Sequence, residues 1–204
     1  MIFKDRAEAG RKLAEKLRSF EGGDIVIYAL PRGGVVLGKE IAKALNKPLD
    51  LLVVRKVGHP LDEEYAVGAV AEDGHTIFSE EGKKIAKELE GIVQKERKEA
   101  ERRRQVYTGG RSTSAKDKIA IIVDDGIATG LTMELAVNEI KHQNPKKVIV
   151  AVPVVPIETA KRFKKIADDL VAVDIADEYL GSVGAYYREF PQLTDEEVIK
   201  ILKS

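Results

Sequence analysis

The stretch over residues 119–133 constrains the fold of this chain more than any other part of its sequence. Five apolar residues, Ile119 to Val123, predict a buried strand, and two adjacent carboxylates, Asp124 and Asp125, close it. A turn of small residues follows, and Thr132 then opens a predicted helix. The free N–H groups of such a turn and the positive end of a helix dipole suit a phosphate group. The pattern therefore favours binding of a phosphorylated sugar, although a plain strand-to-helix turn with an Asp cap uses some of the same residues.

The composition argues against several broad classes of protein. Lysine plus arginine equals aspartate plus glutamate at 34 each, whereas a general nucleic-acid binder usually carries a basic surplus. Three arginines at residues 102–104 are a local basic cluster, but no aromatic residue interleaves them. The chain has no cysteine, which removes disulfides, thiolate metal sites and cysteine nucleophiles. No apolar run reaches the ~18 residues of a membrane span and no secretory signal is visible, so we expect a cytoplasmic protein without membrane partners.

Apolar strands alternate with helical patterns along most of the chain. The predicted strands cover residues 25–30, 49–54, 119–123, 147–152 and 170–173. The predicted helices cover residues 5–20, 35–45, 132–142, 157–167 and 194–202. This alternation predicts an α/β fold with a doubly wound, mainly parallel five-stranded sheet, which binds ligands at the carboxyl ends of its strands. We expect one domain over residues 1–204 with a small subdomain appended to it.

Two segments lie outside this alternation. Residues 57–117 are predicted to be an insert that contains a hairpin turning at Asp73-Gly74, a long charged helix over residues 79–106 with Ser79 as its N-cap, and a flexible loop over residues 108–114. Residues 174–204 follow the last predicted strand and end in a helix whose capping box is Thr194 and Glu197. We expect this tail to be a hood segment near the site.

The acidic run and its loop closely resemble the phosphoribosyl-pyrophosphate motif of the type I phosphoribosyltransferases. That motif consists of an apolar strand, two acids, a small-residue loop and Gly-x-Thr. The resemblance implies that Asp124 and Asp125 hold the ribose hydroxyls of the donor. It implies that the 5-phosphate is bound by Ile127, Ala128, Thr129, Gly130 and Thr132. Ala128 stands where hypoxanthine-guanine enzymes carry an Asp, so the loop is more similar to that of adenine and uracil enzymes.

A second segment carries the same resemblance. The sequence Leu-Pro-Arg-Gly-Gly follows the first predicted strand and resembles the pyrophosphate-binding loop of these enzymes. Its glycines, Gly33 and Gly34, allow close approach to a ligand, and Arg32 offers a planar fork to phosphate oxygens. Arg55 and Lys56 end the second predicted strand. The resemblance implies a cation pair that faces pyrophosphate, while a solvated strand end remains the alternative.

The resemblance also implies a mobile lid and a base-recognition region outside the core sheet. Either residues 57–74 or residues 109–116 form the candidate lid, which would exclude water from a reactive cation. In the tail, Tyr186 and Tyr187 can stack on a planar base or cover an open edge of the core, and the sequence leaves both alternatives open. The charged helix and the Val-Gly-Ala-Tyr-Tyr tail are most similar to a bacterial and archaeal branch of the family.

The resemblance implies an enzyme that transfers the 5-phosphoribosyl group from phosphoribosyl pyrophosphate to a nitrogen acceptor, expected to be a nucleobase, and releases pyrophosphate. The predicted catalytic residues are Asp124, Asp125, Arg32 and Lys56. The expected cofactor is Mg²⁺, held mainly by substrate oxygens and water, with the two aspartates contributing indirectly. The alternative is a non-catalytic regulator that binds the donor or a nucleotide. The resemblance also implies a homodimer.

Overall fold

The computed structural model describes residues 1–204 and shows two sheets flanked by helices. The strands are β1 (Ile25–Ala29), β2 (Leu49–Leu51), β3 (Val54–His59), β4 (Asp62–Ala71), β5 (Thr76–Phe78), β6 (Ile119–Val123), β7 (Lys147–Pro156) and β8 (Asp169–Ala176). The helices are α1 (Arg6–Leu17), α2 (Gly34–Leu45), α3 (Glu80–Lys84), α4 (Ala86–Thr108), α5 (Leu131–Lys141), α6 (Ile157–Ile166) and α7 (Asp195–Lys203). The core sheet has the order β2-β1-β6-β7-β8 with all pairs parallel, which confirms the predicted fold class.

Alternate residues of the central strands face opposite sides of the core sheet, and helices cover both sides. Ile27 of β1 packs in a cluster with α1 and α2, whereas Tyr28 packs on the other side with α5 and α6. Burial on both faces explains why these strands are continuous apolar runs in the sequence. Ala29 pairs with Val123, so β1 and β6 end side by side at the edge where ligands are expected.

The second predicted strand is shorter than expected. β2 ends at Leu51, and the chain then enters β3, which pairs antiparallel with β4, as β4 does with β5. The expectation of one strand over residues 49–54 is therefore wrong, because Val54 pairs with Ala71 and not with the core sheet. The predicted hairpin between β4 and β5 is confirmed. We call the three-stranded sheet of β3, β4 and β5 the hood sheet.

The long charged helix is interrupted near its start. α3 and α4 are separated at Ile85, where the backbone has φ −110° and ψ 21°. The expectation of one continuous helix is therefore wrong. Gly82 in α3 lies so near the hairpin that a Cβ there would overlap the carbonyl oxygen of Val67. The Ser79 N-cap is confirmed, since its hydroxyl accepts a hydrogen bond from the N–H of Gly82 at 3.0 Å.

The tail packs against the core and against α4. Phe3 and Tyr187 form a parallel bridge, and α7 packs against both α2 and α4. The predicted capping box of Thr194 and Glu197 starts α7. No helix in the structure combines the length and the apolar character that crossing a membrane requires.

Candidate functional site

Two loops meet at the carboxyl ends of β1 and β6. The N–H of Leu30, the residue after β1, donates a hydrogen bond to the carbonyl oxygen of Val123 at 2.9 Å. A Cβ on Gly33 would overlap Oδ2 of Asp125, and a Cβ on Gly34 would lie 2.6 Å from the Val123 oxygen. The loop after β1 can therefore lie this close to the end of β6 only because both residues are glycine. The glycine loop and the acidic pair, which the sequence marks separately, are thus neighbours in the fold.

Each carboxylate of the acidic pair has one oxygen engaged by the protein and one without a protein donor. Asp124 Oδ1 accepts a hydrogen bond from the N–H of Asp125 at 2.8 Å. Asp125 Oδ2 accepts one from Arg6 Nε at 2.8 Å, and its main-chain oxygen accepts one from the Tyr187 hydroxyl at 2.6 Å. The remaining carboxylate oxygens are available to hydroxyl groups or to a hydrated cation.

The two carboxyl groups of the acidic pair have fewer positive charges beside them than they would carry negative charges when ionised. Burial raises the pKa of the Asp124 carboxyl well above its usual range, and the neighbouring Asp125 charge raises it further. Burial also raises the pKa of Asp125, while the Arg6 guanidinium opposes that rise. One guanidinium thus faces two carboxyl groups, and hydroxyl donors or a cation from a ligand would stabilise their ionised forms.

The loop between β6 and α5 presents unpaired N–H groups. Those of Ala128, Thr129 and Gly130 donate no hydrogen bond within the protein, and the first turn of α5 adds the free donors of a helix N-terminus. Gly130 has φ +84°, a backbone conformation that favours glycine. Ala128 and Thr129 are exposed. Such a set of donors suits a phosphate group.

Ile127 differs from the sequence expectation. Its side chain is buried, and its N–H donates to the carbonyl oxygen of Val154 at 2.9 Å. Neither group is free for a ligand, so the assignment of Ile127 to phosphate binding is wrong, and the residue instead anchors the loop to β7. Thr132 lies in the first turn of α5 as expected, although that helix begins one residue earlier, at Leu131.

Two arginines at the site are remote from the motifs in sequence. Arg6 of α1 pairs with the acidic pair, donates to the carbonyl oxygen of Pro191 at 2.7 Å and covers the Phe190 ring at 3.7 Å. Arg162 of α6 donates to the carbonyl oxygen of Thr129 in the loop between β6 and α5. Neither arginine stands out in the sequence, because no local pattern marks a helix residue that reaches a loop of another element.

The remaining predicted cations lie in different surroundings. Arg55 and Lys56 belong to β3 of the hood sheet, so the expectation that they end a core strand is wrong. Arg55 Nη2 lies 2.6 Å from a carboxylate oxygen of Glu96, and Lys56 Nζ lies 3.0 Å from one of Glu64. Arg32 makes no ion pair and is partly exposed, which leaves its guanidinium free for an anionic ligand.

The two tyrosines of the tail are core residues. Tyr186 is 2% exposed and Tyr187 is 7% exposed. Tyr186 stacks on Tyr179 with ring centroids 5.5 Å apart, and Tyr187 stacks on Phe190 at 4.8 Å. Their assignment to base stacking is therefore wrong, and the alternative that they cover the edge of the core is correct.

The three consecutive arginines of α4 are paired inside the fold. Arg102 binds Glu99 and Asp195, Arg103 binds Glu99, and Arg104 binds Asp50 and Glu72. Arg103 and Arg104 are also buried. The cluster therefore joins α4 to the core and to α7 and does not form a free basic surface.

A doubly wound parallel sheet with an acidic pair, a glycine loop and a donor-rich turn at its carboxyl edge defines the type I phosphoribosyltransferase class. The sequence matches the family model of the phosphoribosyl transferase domain over residues 2–188. The chain therefore belongs to the phosphoribosyltransferase family.

Relatives of similar sequence come from bacteria. Two Mycobacterium tuberculosis strains each have a protein named "Putative phosphoribosyl transferase" that is 39% identical over 206 residues, a match covering 98% of this chain and 46% of the relative. The chain thus spans about half the length of these curated relatives. The crystal structure of TT1426 from Thermus thermophilus is 39% identical, covers 99% of this chain and 98% of its own, and has a TM-score of 0.79. The structure of AQ2163 from Aquifex aeolicus shares the fold, at 16% identity, a TM-score of 0.53 and coverage of 83% and 72%.

Proposed function

We propose that this protein is a Mg²⁺-dependent enzyme that transfers the 5-phosphoribosyl group of phosphoribosyl pyrophosphate to a ring nitrogen of a nucleobase and releases pyrophosphate. One observation carries the proposal. The glycine loop after β1 lies against Asp125, at the same sheet edge as the unpaired N–H groups of residues 128–130. These two loops offer separate groups for the two ends of the donor.

The three charged or polar parts of the donor each have a complementary group. The free oxygens of Asp124 and Asp125 suit the two ribose hydroxyls, which are hydrogen-bond donors. The loop from Ala128 to Gly130 suits the 5-phosphate. Arg32, which has no protein carboxylate as a partner, suits the pyrophosphate because its guanidinium can donate two parallel hydrogen bonds.

The acidic pair also fits the cofactor. Mg²⁺ prefers oxygen ligands and keeps several of its waters, so one or two carboxylates beside substrate oxygens are sufficient. Asp124 and Asp125 offer such oxygens, and only one guanidinium opposes their charge. When bound, the ion would supply positive charge to the pyrophosphate oxygens of the donor.

In the reaction, the bond between C1 of the ribose and the pyrophosphate oxygen breaks, and a bond from C1 to the acceptor nitrogen forms as that nitrogen passes its proton to solvent. Asp124 and Asp125 hold the ring in place while positive charge develops on it. Arg32 stabilises the negative charge of the leaving pyrophosphate. Positioning and electrostatic stabilisation of this kind account for most of the catalysis that such a site can provide.

Replacement of both aspartates tests the proposal. In Asp124→Asn/Asp125→Asn, we expect weaker binding of the donor with Mg²⁺ and a loss of turnover of at least about a hundredfold, the scale of losing a preorganised electrostatic group. Calorimetry measures the donor affinity, and pyrophosphate release is measured against a panel of purine and pyrimidine bases. Asp177→Asn is the control, because Asp177 is exposed and makes no ion pair.

Three results would contradict the proposal. Unchanged donor binding in the double variant would remove the role of the acidic pair. Equal losses in Asp177→Asn would show an unspecific effect. Donor binding by the unaltered protein without pyrophosphate release for any base would favour the regulator alternative.

A further inference from the structure

A second cluster of ligand-type side chains lies where the hood sheet meets α5. His75 follows the Asp73-Gly74 turn between β4 and β5. Glu139 lies in the last turn of α5, and His142 caps its end three residues later, so the two share one face of the helix. Two of the three histidines in the chain therefore converge on one carboxylate.

The ligand atoms of these three side chains are close enough to share one ion. One nitrogen or oxygen from each lies within 4.8 Å of the others. His75 Nδ1 is 2.8 Å from Glu139 Oε1, His142 Nδ1 is 3.9 Å from the same oxygen, and the two rings are 5.3 Å apart. Ligands of a tetrahedral zinc ion lie roughly 3.3–3.5 Å apart at its usual bond lengths. Small rotations of exposed rings supply the difference.

The exposure of the side chains permits that rotation. The His75 and His142 side chains are 59% and 64% exposed, whereas Glu139 is only 11% exposed and is held in place by its surroundings. Asp73 Oδ2 lies 3.1 Å from His75 Nδ1, where it can orient the ring or complete the coordination. Two imidazoles with carboxylate oxygens suit divalent transition-metal ions such as Zn²⁺ better than Mg²⁺.

We propose that His75, Glu139 and His142 form a binding site for a divalent transition-metal ion of the zinc type, which joins the β4–β5 hairpin of the hood sheet to α5 of the core. The site is distinct from the donor site. Thr132 and His142 lie at opposite ends of α5, about 15 Å apart at the usual rise of an α-helix. The bound ion would reduce the freedom of the hood sheet relative to the core without touching the donor.

Zinc titration of tag-free protein in metal-free buffer tests this site. By calorimetry we expect one Zn²⁺ per chain, and we expect His75→Ala and His142→Ala each to weaken binding at least about tenfold, because even the loss of a residue that only supports a metal ligand has an effect of that size. The double variant should lose the site. His59→Ala is the matched control, because it removes the third histidine, which lies in β3.

Two further measurements distinguish a specific zinc site from unspecific zinc binding. X-ray absorption at the zinc edge should count two histidine ligands, and Zn²⁺ should raise the melting temperature of the unaltered protein and of His59→Ala but not of the double variant. Circular dichroism verifies that each variant is folded. Absence of binding to the unaltered protein, binding that survives in the double variant, fewer than two histidine ligands, or an equal loss in His59→Ala would overturn the proposal.

Discussion

At the scale of the residue, the proposed donor site depends on glycine positions where a side chain would overlap neighbouring atoms. Gly33 is the clearest example, since its α-carbon faces the carboxylate of Asp125 and any Cβ there would overlap it. Asp125 in turn is held by Arg6 and by the hydroxyl of Tyr187. A side chain at position 33 would therefore displace either the glycine loop or the carboxylate that Arg6 holds in place.

We expect Gly33→Ala to destabilise the fold by about 1–3 kcal/mol, the usual cost of overpacking. Turnover should fall by about a hundredfold, since small misplacements at a reacting centre have effects of this size. Gly91→Ala is the control. Nothing lies within 4 Å of a Cβ at Gly91 in α4, so this change should stabilise the helix by up to about 1 kcal/mol and leave turnover unchanged. Chemical denaturation and pyrophosphate release measure both variants, and equal turnover in the two would refute the argument.

At the scale of the element, ion pairs stabilise the charged helix α4 and connect it to its neighbours. Glu99 accepts hydrogen bonds from Arg102 at 2.7 and 3.0 Å and from Arg103 at 2.7 Å. The hydrogen bonds from Arg102 lower the pKa of Glu99 to about 2, burial opposes this, and Arg103 lowers the pKa further. Arg102 also reaches Asp195 of α7, so this group links two helices.

The lowered pKa of Glu99 predicts how the free energy of unfolding depends on pH. Because its folded-state pKa lies below the unfolded value, its contribution is present above about pH 4.5 and is lost as the pH falls towards 2. Glu99→Gln should lower the free energy of unfolding by about 1 kcal/mol at neutral pH, and the difference from the unaltered protein should disappear near pH 2. Urea denaturation of both proteins between pH 7 and pH 2 measures this difference in the free energy of unfolding.

Glu90→Gln on the same helix is the matched control, because Glu90 is exposed and unpaired. It should leave the free energy of unfolding nearly unchanged at every pH. A constant difference for Glu99→Gln down to pH 2 would show that the ion pairs do not cause the effect.

At the scale of the whole molecule, the structure distinguishes the two candidate lids. The linker before β6 is anchored to the core, since the Tyr28 hydroxyl donates to the carbonyl oxygen of Thr113 at 2.7 Å and the N–H of Ala115 donates to the Gln143 side chain at 2.9 Å. Ala115 is fully buried. The tip of the β3–β4 hairpin is free, with Leu61 91% exposed. We therefore favour the hairpin, which carries Lys56, as the segment that closes over the donor.

Hydrogen exchange tests that preference. On addition of donor and Mg²⁺, we expect the largest slowing of exchange in residues 57–66 and little change in residues 113–116, where the amides are already protected by core contacts. Mass spectrometry of peptic fragments resolves the two segments. Slowing confined to the linker would make the linker the lid.

Local patterns in the sequence are sufficient to identify much of the site. The strand from Ile119 to Val123 ends where predicted, and residue types at fixed spacing mark both the glycine loop and the acidic pair. The prediction for Ile127 is wrong, because its apolar side chain and its N–H are used to anchor the loop. Arg55 and Lys56 lie on a different sheet from the predicted one, because an apolar run does not show where a strand changes partner.

Local sequence patterns are enough to set the alternation of buried strands and amphipathic helices, and with it the parallel core sheet and the position of the acidic pair at a strand end. These features follow from periodicity and from backbone preferences, which act within a few residues. Folding in three dimensions is what brings Arg6 to Asp125, the tail tyrosines to the edge of the core and His75 to Glu139. Such contacts join segments far apart in the chain, and their partners are set by how whole elements pack.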